Sequence, residues 1–206
     1  MVLLLPRRDG SEHLLCEGVS GSWSLVEAGR DFLRREWSGQ RLSVLALTDG
    51  AQTIRSDLSA LFGSGVRVVL AWYHLAKRVY ENLSMAAHSM QERQEWERSV
   101  LSLLWRGRTS AALSFLSGLT PRNGKALTDL VGYLDKHASE IIDYERRQES
   151  GKPIGSGRME KGVDQVIGAR QKGKGMSWSQ VGSRALALLK VAELNARARQ
   201  PCCSTG

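Results

Sequence analysis

No run of 18 apolar residues occurs in the 206-residue chain, so the sequence predicts no membrane-spanning helix. The apolar stretch at residues 2–5 stops at Pro6. It is too short for a signal-peptide core and has no basic segment before it, so no secretory leader is expected. Cysteine is scarce: Cys16, Cys202 and Cys203 are an odd number at no metal-ligand spacing. That excludes a disulfide framework and a zinc knuckle, and fits a reduced, cytoplasmic setting. No internal repeat is visible. At this length the chain can bury a sizeable core in one or two domains.

Charge is present but unevenly placed. Residues 1–145 carry 17 basic and 17 acidic residues, so they balance. Residues 146–206 hold 12 of the 29 basic and only 4 of the 21 acidic residues, which accounts for the whole net charge of +8. A basic segment of this kind suits a polyanion such as nucleic acid. The plainer reading is a soluble basic surface.

Residues 2–5 and 12–16 read as strands around Arg8-Asp9-Gly10-Ser11, with Asp-Gly as the turn signal. Residues 24–37 are helix-like, with Leu25, Ala28, Phe32 and Leu33 as the buried stripe. The short apolar run at 42–47 predicts a buried strand that stops at Thr48-Asp49-Gly50. A helix with Ile54, Leu58, Leu61 and Phe62 inward follows, then a strand at 66–70. A strand–helix–strand unit of about thirty residues predicts two parallel strands. Residues 75–144 carry only helical periodicity: Leu75, Val79, Leu83 and Ala87 on the first helix; Trp96, Val100, Leu103 and Leu104 on the second; Ala112, Phe115 and Leu116 on the third; Leu127, Leu130, Val131 and Leu134 on the fourth. Ile141 and Ile142 suggest a short fifth. Trp96 and Trp105 are expected in the core. Residues 147–153 read as an extended polar linker. The last helix opens at Trp178, with Val181, Ala185, Leu188 and Ala192 as its stripe, and the tail from Gln200 reads as disordered.

Three positions attract chemistry. Asp49 follows the carboxyl end of an apolar strand, where open α/β sheets bind ligands; an N-cap role is the alternative. His74 follows the next parallel strand at the same end, near Asp49, either as a structural histidine or as a group that orients a carboxylate. Glu160 lies in the helix start Gly155-Ser156-Gly157-Arg158-Met159-Glu160, beside the stripe Met159, Val163, Val166 and Ile167. An acid there either answers the helix dipole or is paired or metal-bound.

Asp49 and Glu160 are 111 positions apart, and the helical block between them can be lifted out. What remains is a hairpin, a helix, a strand ending in Asp, a helix, a strand, and a helix bearing Glu. That is the order of a ribonuclease H-like core, in which carboxylates gather at one edge around divalent ions. The expected fold class is therefore α/β (α+β), a ribonuclease H-like mixed sheet with flanking helices. Residues 1–74 and 151–198 form the core with an incomplete first strand, 75–150 an all-helical insertion, and 199–206 a tail.

Thr48-Asp49-Gly50-Ala51, Leu70-Ala71-Trp72-Tyr73-His74-Leu75, Ile154-Gly155-Ser156-Gly157-Arg158-Met159-Glu160 and Arg170-Gln171-Lys172-Gly173-Lys174-Gly175-Met176-Ser177-Trp178 stand in the order and spacing of a known family. Together they resemble the signatures of DDE-type bacterial insertion-sequence transposases of the group related to Mutator-like elements. The resemblance covers roughly residues 1–195. It implies that Asp49 is the second catalytic Asp, Glu160 the catalytic Glu and His74 the His of an Asp-x-x-His motif, with Asp49 and Glu160 holding Mg²⁺ or Mn²⁺. It also implies phosphodiester cleavage and strand transfer on double-stranded DNA (transposon ends and target), a homodimer when active, and a nucleoid-associated cytoplasmic protein. Arg158, Lys161, Arg170, Lys172 and Lys174 are expected on phosphates.

Two departures matter. Ala71 occupies the place of the motif's Asp, and no residue matches the first catalytic Asp, since Asp9 sits in a hairpin turn. The chain thus reads as an N-terminally truncated catalytic core with weak or absent cleavage. A non-catalytic nucleic-acid-binding remnant is the alternative, and a helical interaction protein with incidental charge is the third reading.

Overall fold

A computed structural model describes residues 2–16, 25–38, 40, 43–155, 157, 164, 166, 177 and 179–198. Among them the chain is mixed α/β and mostly helical. The strands are β1 (Val2–Pro6), β2 (Glu12–Cys16), β3 (Val44–Thr48) and β4 (Val66–Leu70). The helices are α1 (Leu25–Glu36), α2 (Gln52–Phe62), α3 (Trp72–Ala86), α4 (Met90–Trp105), α5 (Thr109–Ser117), α6 (Gly124–Lys136), α7 (Tyr144–Glu149) and α8 (Gln180–Ala198). No helix among the described residues is long and apolar enough to cross a membrane.

The chain divides into two compact units. One comprises Met1–Ser43, Asp57–Gly65 and Gly157–Gly206; the other comprises Val44–Ser56 and Val66–Ser156. The parallel strand pair thus belongs to the same unit as the helical block that follows it.

In the first unit β1 and β2 pair antiparallel, from Val2 opposite Cys16 to Pro6 opposite Glu12. Gly10 takes φ +81° in the turn, a conformation that costs glycine nothing. Asp9 accepts the Ser11 hydroxyl at 2.6 Å and its amide at 2.9 Å. Those bonds hold its carboxyl below the usual range, and they confirm Asp9 as a turn residue. Helix α1 buries Leu25 and Leu33, with Ala28 and Phe32 half-buried, and Phe32 stacks on the His13 ring at 4.2 Å.

Helix α8 docks on β2 through Ala187, Val191 and Leu194, which close over Leu14 and the wholly buried Val166. Asn195 clasps Leu14 from both sides, accepting its N–H and donating to its C=O, each at 2.9 Å. This corrects the expected stripe. Val181 is 63% exposed and Leu188 also faces water, with Ala192 exposed. Apolar residues occupy two faces of α8, and the Leu14–Asn195 clasp selects the other one.

In the second unit β3 and β4 are parallel, with Val44 opposite Val66 and Thr48 opposite Leu70, as the strand–helix–strand spacing predicts. Ala71 N–H extends the ladder to Thr48 C=O at 2.8 Å. β3 is not the buried strand its apolar run suggests: Leu45 is 39% exposed and only Thr48 is buried. Among the described residues β3 has one ladder partner, β4, so apolar composition marks it as a strand without giving it cover.

The core of this unit is helical. Leu75, Val79 and Leu83 of α3, Val100 and Leu104 of α4, Leu116 of α5, and Leu130 and Leu134 of α6 are all wholly buried together with Val69 and Leu70 of β4. Trp96 is buried within the same cluster and Trp105 packs against it, so both are core residues as expected. Ser89 caps α4 by accepting Glu92 N–H at 3.1 Å, while the Glu92 carboxylate takes His88 N–H at 2.6 Å. Asn123 and Asp143 cap α6 and α7 in the same manner.

The expected fifth helix at Ile141 and Ile142 is displaced. Residues Ala138–Glu140 form a 3₁₀ turn, Ile141 is extended, Asp143 bridges to Arg106, and the helix begins only at Tyr144. The reason is local: Asp143 is a better N-cap than either isoleucine, and β-branched residues favour extended backbone. The first half of the expected linker at 147–153 is accordingly helical, and a turn at Gly151 (φ +67°) releases the chain. It then runs back to β4, where Ile154 C=O accepts Trp72 N–H at 3.0 Å.

Candidate functional site

The carboxyl ends of β3 and β4 define the candidate site, and all of its described residues lie in the second unit. Asp49 is the first residue after β3 and is exposed. Its Oδ1 accepts Ala51 N–H at 2.9 Å, and Gly50 N–H donates to Thr48 Oγ1 at 3.2 Å. Gly50 takes φ +89°, which turns the chain at once into α2.

Gly50 is also a point of close approach. A Cβ added there would lie 3.0 Å from His137 Cε1 and 3.1 Å from Leu70 Cδ1. His137 closes α6 and is 2% exposed. Its Nδ1 lies 2.8 Å from Glu140 Oε2 and 2.9 Å from Arg55 Nη2, while Arg55 also pairs with Glu140 Oε1. Nδ1 can give a proton to the carboxylate or a lone pair to the guanidinium, but not both. Either bond is charge-assisted, one through its acceptor and the other through its donor, and Nε2 lies on the side of Gly50. Arg55 Nε is buried and has no hydrogen-bond partner among the described residues.

Tyr133 extends the cluster, its ring 4.6 Å from that of His137 and covered on its other approach by Arg78 at 5.4 Å. Burial first, and then the negative charges of Glu140 and Asp49, push the Tyr133 hydroxyl above its ordinary value against the pull of Arg78. Tyr144 anchors α7 beneath the same edge by donating to Leu70 C=O at 2.7 Å, and its burial raises its hydroxyl pKa strongly. Trp72 and Trp105 pack edge to face at 4.8 Å beside it.

Ala71 is wholly buried at the N-cap of α3, with no side-chain cap. His74 is half-buried in the first turn of α3, its ring 5.5 Å from that of Tyr73. The histidine brought against the Asp49-Gly50 turn is His137. The Arg55–Glu140–His137 cluster was not read from the sequence. Its signal is the pair His137 and Glu140, three apart between the buried Leu134 and Ile141. Glu160, Arg158, Lys161, Arg170, Lys172 and Lys174 lie outside the described residues.

No three His, Cys, Asp or Glu side chains among the described residues converge as metal ligands. Asp49 brings one carboxylate, and both oxygens of Glu140 are engaged by Arg55 and His137. The described residues therefore do not form a Mg²⁺ or Mn²⁺ centre by themselves, and no chemical step is derived through one. Comparison with family models, characterised proteins and solved structures finds no match for this chain.

Proposed function

We propose that the chain is the ribonuclease H-like core of a DDE-type insertion-sequence transposase that engages double-stranded DNA. The observation that carries this reading is Asp49. It stands, exposed, at the carboxyl end of a parallel strand, beside the start of the helix bearing His74. Sequence motifs in family order support it, with Glu160 as the second acid and Mg²⁺ or Mn²⁺ as the ion hard oxygens take. The basic residues Arg170, Lys172 and Lys174 would supply charge for phosphates.

A DNA-binding chain that cleaves slowly or not at all is favoured over a full strand transferase. Asp49 is the one exposed carboxylate described at the end of β3, Ala71 stands where the motif has an acid, and the first acid has no match. The test is Mg²⁺- or Mn²⁺-dependent cleavage of transposon-end DNA by the wild-type chain, Asp49→Asn and Glu160→Gln. The expected result is trace cleavage at most, abolished in either variant, with DNA binding retained. Robust cleavage by the wild type contradicts the weak-cleavage reading. Cleavage that survives both substitutions removes Asp49 and Glu160 from the site.

A further inference from the structure

An open groove of about 320 Å³ runs along one face of the β3–β4 pair. Its floor is Leu45, Val69 and Ile142, and its walls carry Arg67 from β4, Arg146 and Arg147 from α7, and Lys152 beyond the Gly151 turn. Among the described residues four cations meet one acid there, Asp143. That acid is committed to capping α7, where its Oδ1 accepts Arg146 N–H at 2.9 Å. None of the four cations forms an ion pair among the described residues, although ion pairs are formed nearby, such as Arg106 with Glu145. Four like charges repel one another, and leaving them uncompensated around one groove is unfavourable unless an anion enters.

The groove is also held in shape before any ligand arrives. Tyr144 ties α7 to Leu70 C=O, and Arg147 Nε donates to Pro153 C=O at 2.7 Å, fixing the chain that carries Lys152. That bond uses one edge of the Arg147 guanidinium and leaves its terminal nitrogens for a ligand. Guanidinium forks match phosphate oxygens in pairs. Among the described residues no Phe, Tyr or Trp lines the groove, so they offer nothing for an unpaired base to stack on. Contact here would be to backbone and independent of sequence.

We infer that the groove formed by Arg67, Arg146, Arg147 and Lys152 is a phosphodiester-binding track for double-stranded DNA, lined by residues other than Asp49. The inference rests on the DNA-binding reading above and locates part of the binding surface.

The experiment measures affinity of the full chain for a random-sequence DNA duplex as salt is raised. It compares wild type, the groove variant Arg67→Ala/Arg146→Ala/Lys152→Ala, and a control that removes the same charge from exposed positions outside the groove, Arg98→Ala/Arg122→Ala/Lys125→Ala. Arg147 is left intact because it bonds Pro153. The groove variant is expected to bind about tenfold or more weakly at 0.1 M salt, with the log–log salt slope shallower by about 2 to 3. The control should stay near wild type. Lysine at positions 67 and 146 should restore most of the slope, which separates charge from folding. Equal losses in groove and control variants, or none in either, overturn the groove while leaving DNA binding intact. No binding by the wild type overturns the functional reading itself. Displacement of DNA by millimolar inorganic phosphate with the same midpoint assigns the groove to a free anion, and tighter binding of poly-glutamate than DNA assigns it to an acidic protein. Either result overturns the DNA track.

Discussion

Arg55, His137 and Glu140 show how much a single buried polar cluster decides. Glu140 is 5% exposed and takes both the Arg55 guanidinium and His137 Nδ1. Removing one member of such a set leaves the others desolvated without a partner, which costs more than the set contributes when intact. Glu140→Gln is expected to destabilise the second unit by about 3 kcal/mol. That is the lower end of the usual range, because the Arg55 side chain keeps 27% of its surface in water. Urea unfolding followed by helical circular dichroism measures it, and a change below about 0.5 kcal/mol would show that the cluster does not hold α6 against the Asp49 turn. Among the candidate residues Asp49 was legible from the sequence because a strand end followed by glycine is a local pattern. His137 and Arg55 were not, because they are 82 positions apart and meet only in the folded chain, where the Ala138–Glu140 turn packs on β4.

At the scale of elements, periodicity was a good guide wherever one face alone was apolar. The stripes of α3 and α6 are buried as their spacing predicts. It failed on α8, where two faces are apolar and the choice falls to Leu14 and Asn195 of a pairing 181 positions apart. It also failed at Ile141 and Ile142, where capping by Asp143 outweighed the apolar pattern. Helix α7, six residues long, is held in place by the Tyr144 hydroxyl on Leu70 C=O. Burial raises the folded pKa of Tyr144 above the ordinary tyrosine value of about 10. Its contribution to stability is therefore whole below about pH 10 and is lost as pH rises toward the folded value. Thermal unfolding should fall steeply above pH 10 in the wild type and less steeply in Tyr144→Phe. That variant should also lose about 1 kcal/mol near neutrality with the hydrogen bond. Identical alkaline slopes in the two proteins would separate Tyr144 from the alkaline transition.

Across the whole molecule, charge and fold are distributed differently. The parallel pair with Asp49 belongs to the unit that carries the helical core, while the net positive charge belongs to residues 146–206. Only Arg146, Arg147 and Lys152 of that basic segment fall within the same unit as Asp49. Composition made the basic bias legible, but not the meeting of those three residues with Arg67. A two-stranded pairing brings residue 67 to the groove, and no linear pattern marks it. The measurement that bears most directly on the central claim is the affinity of the 206-residue chain for duplex DNA between 50 and 200 mM salt. The account predicts a steep linear fall of log affinity against log salt, with a slope of about −4 or steeper for five or more phosphate contacts. A flat dependence, or no binding at 50 mM salt, would contradict it.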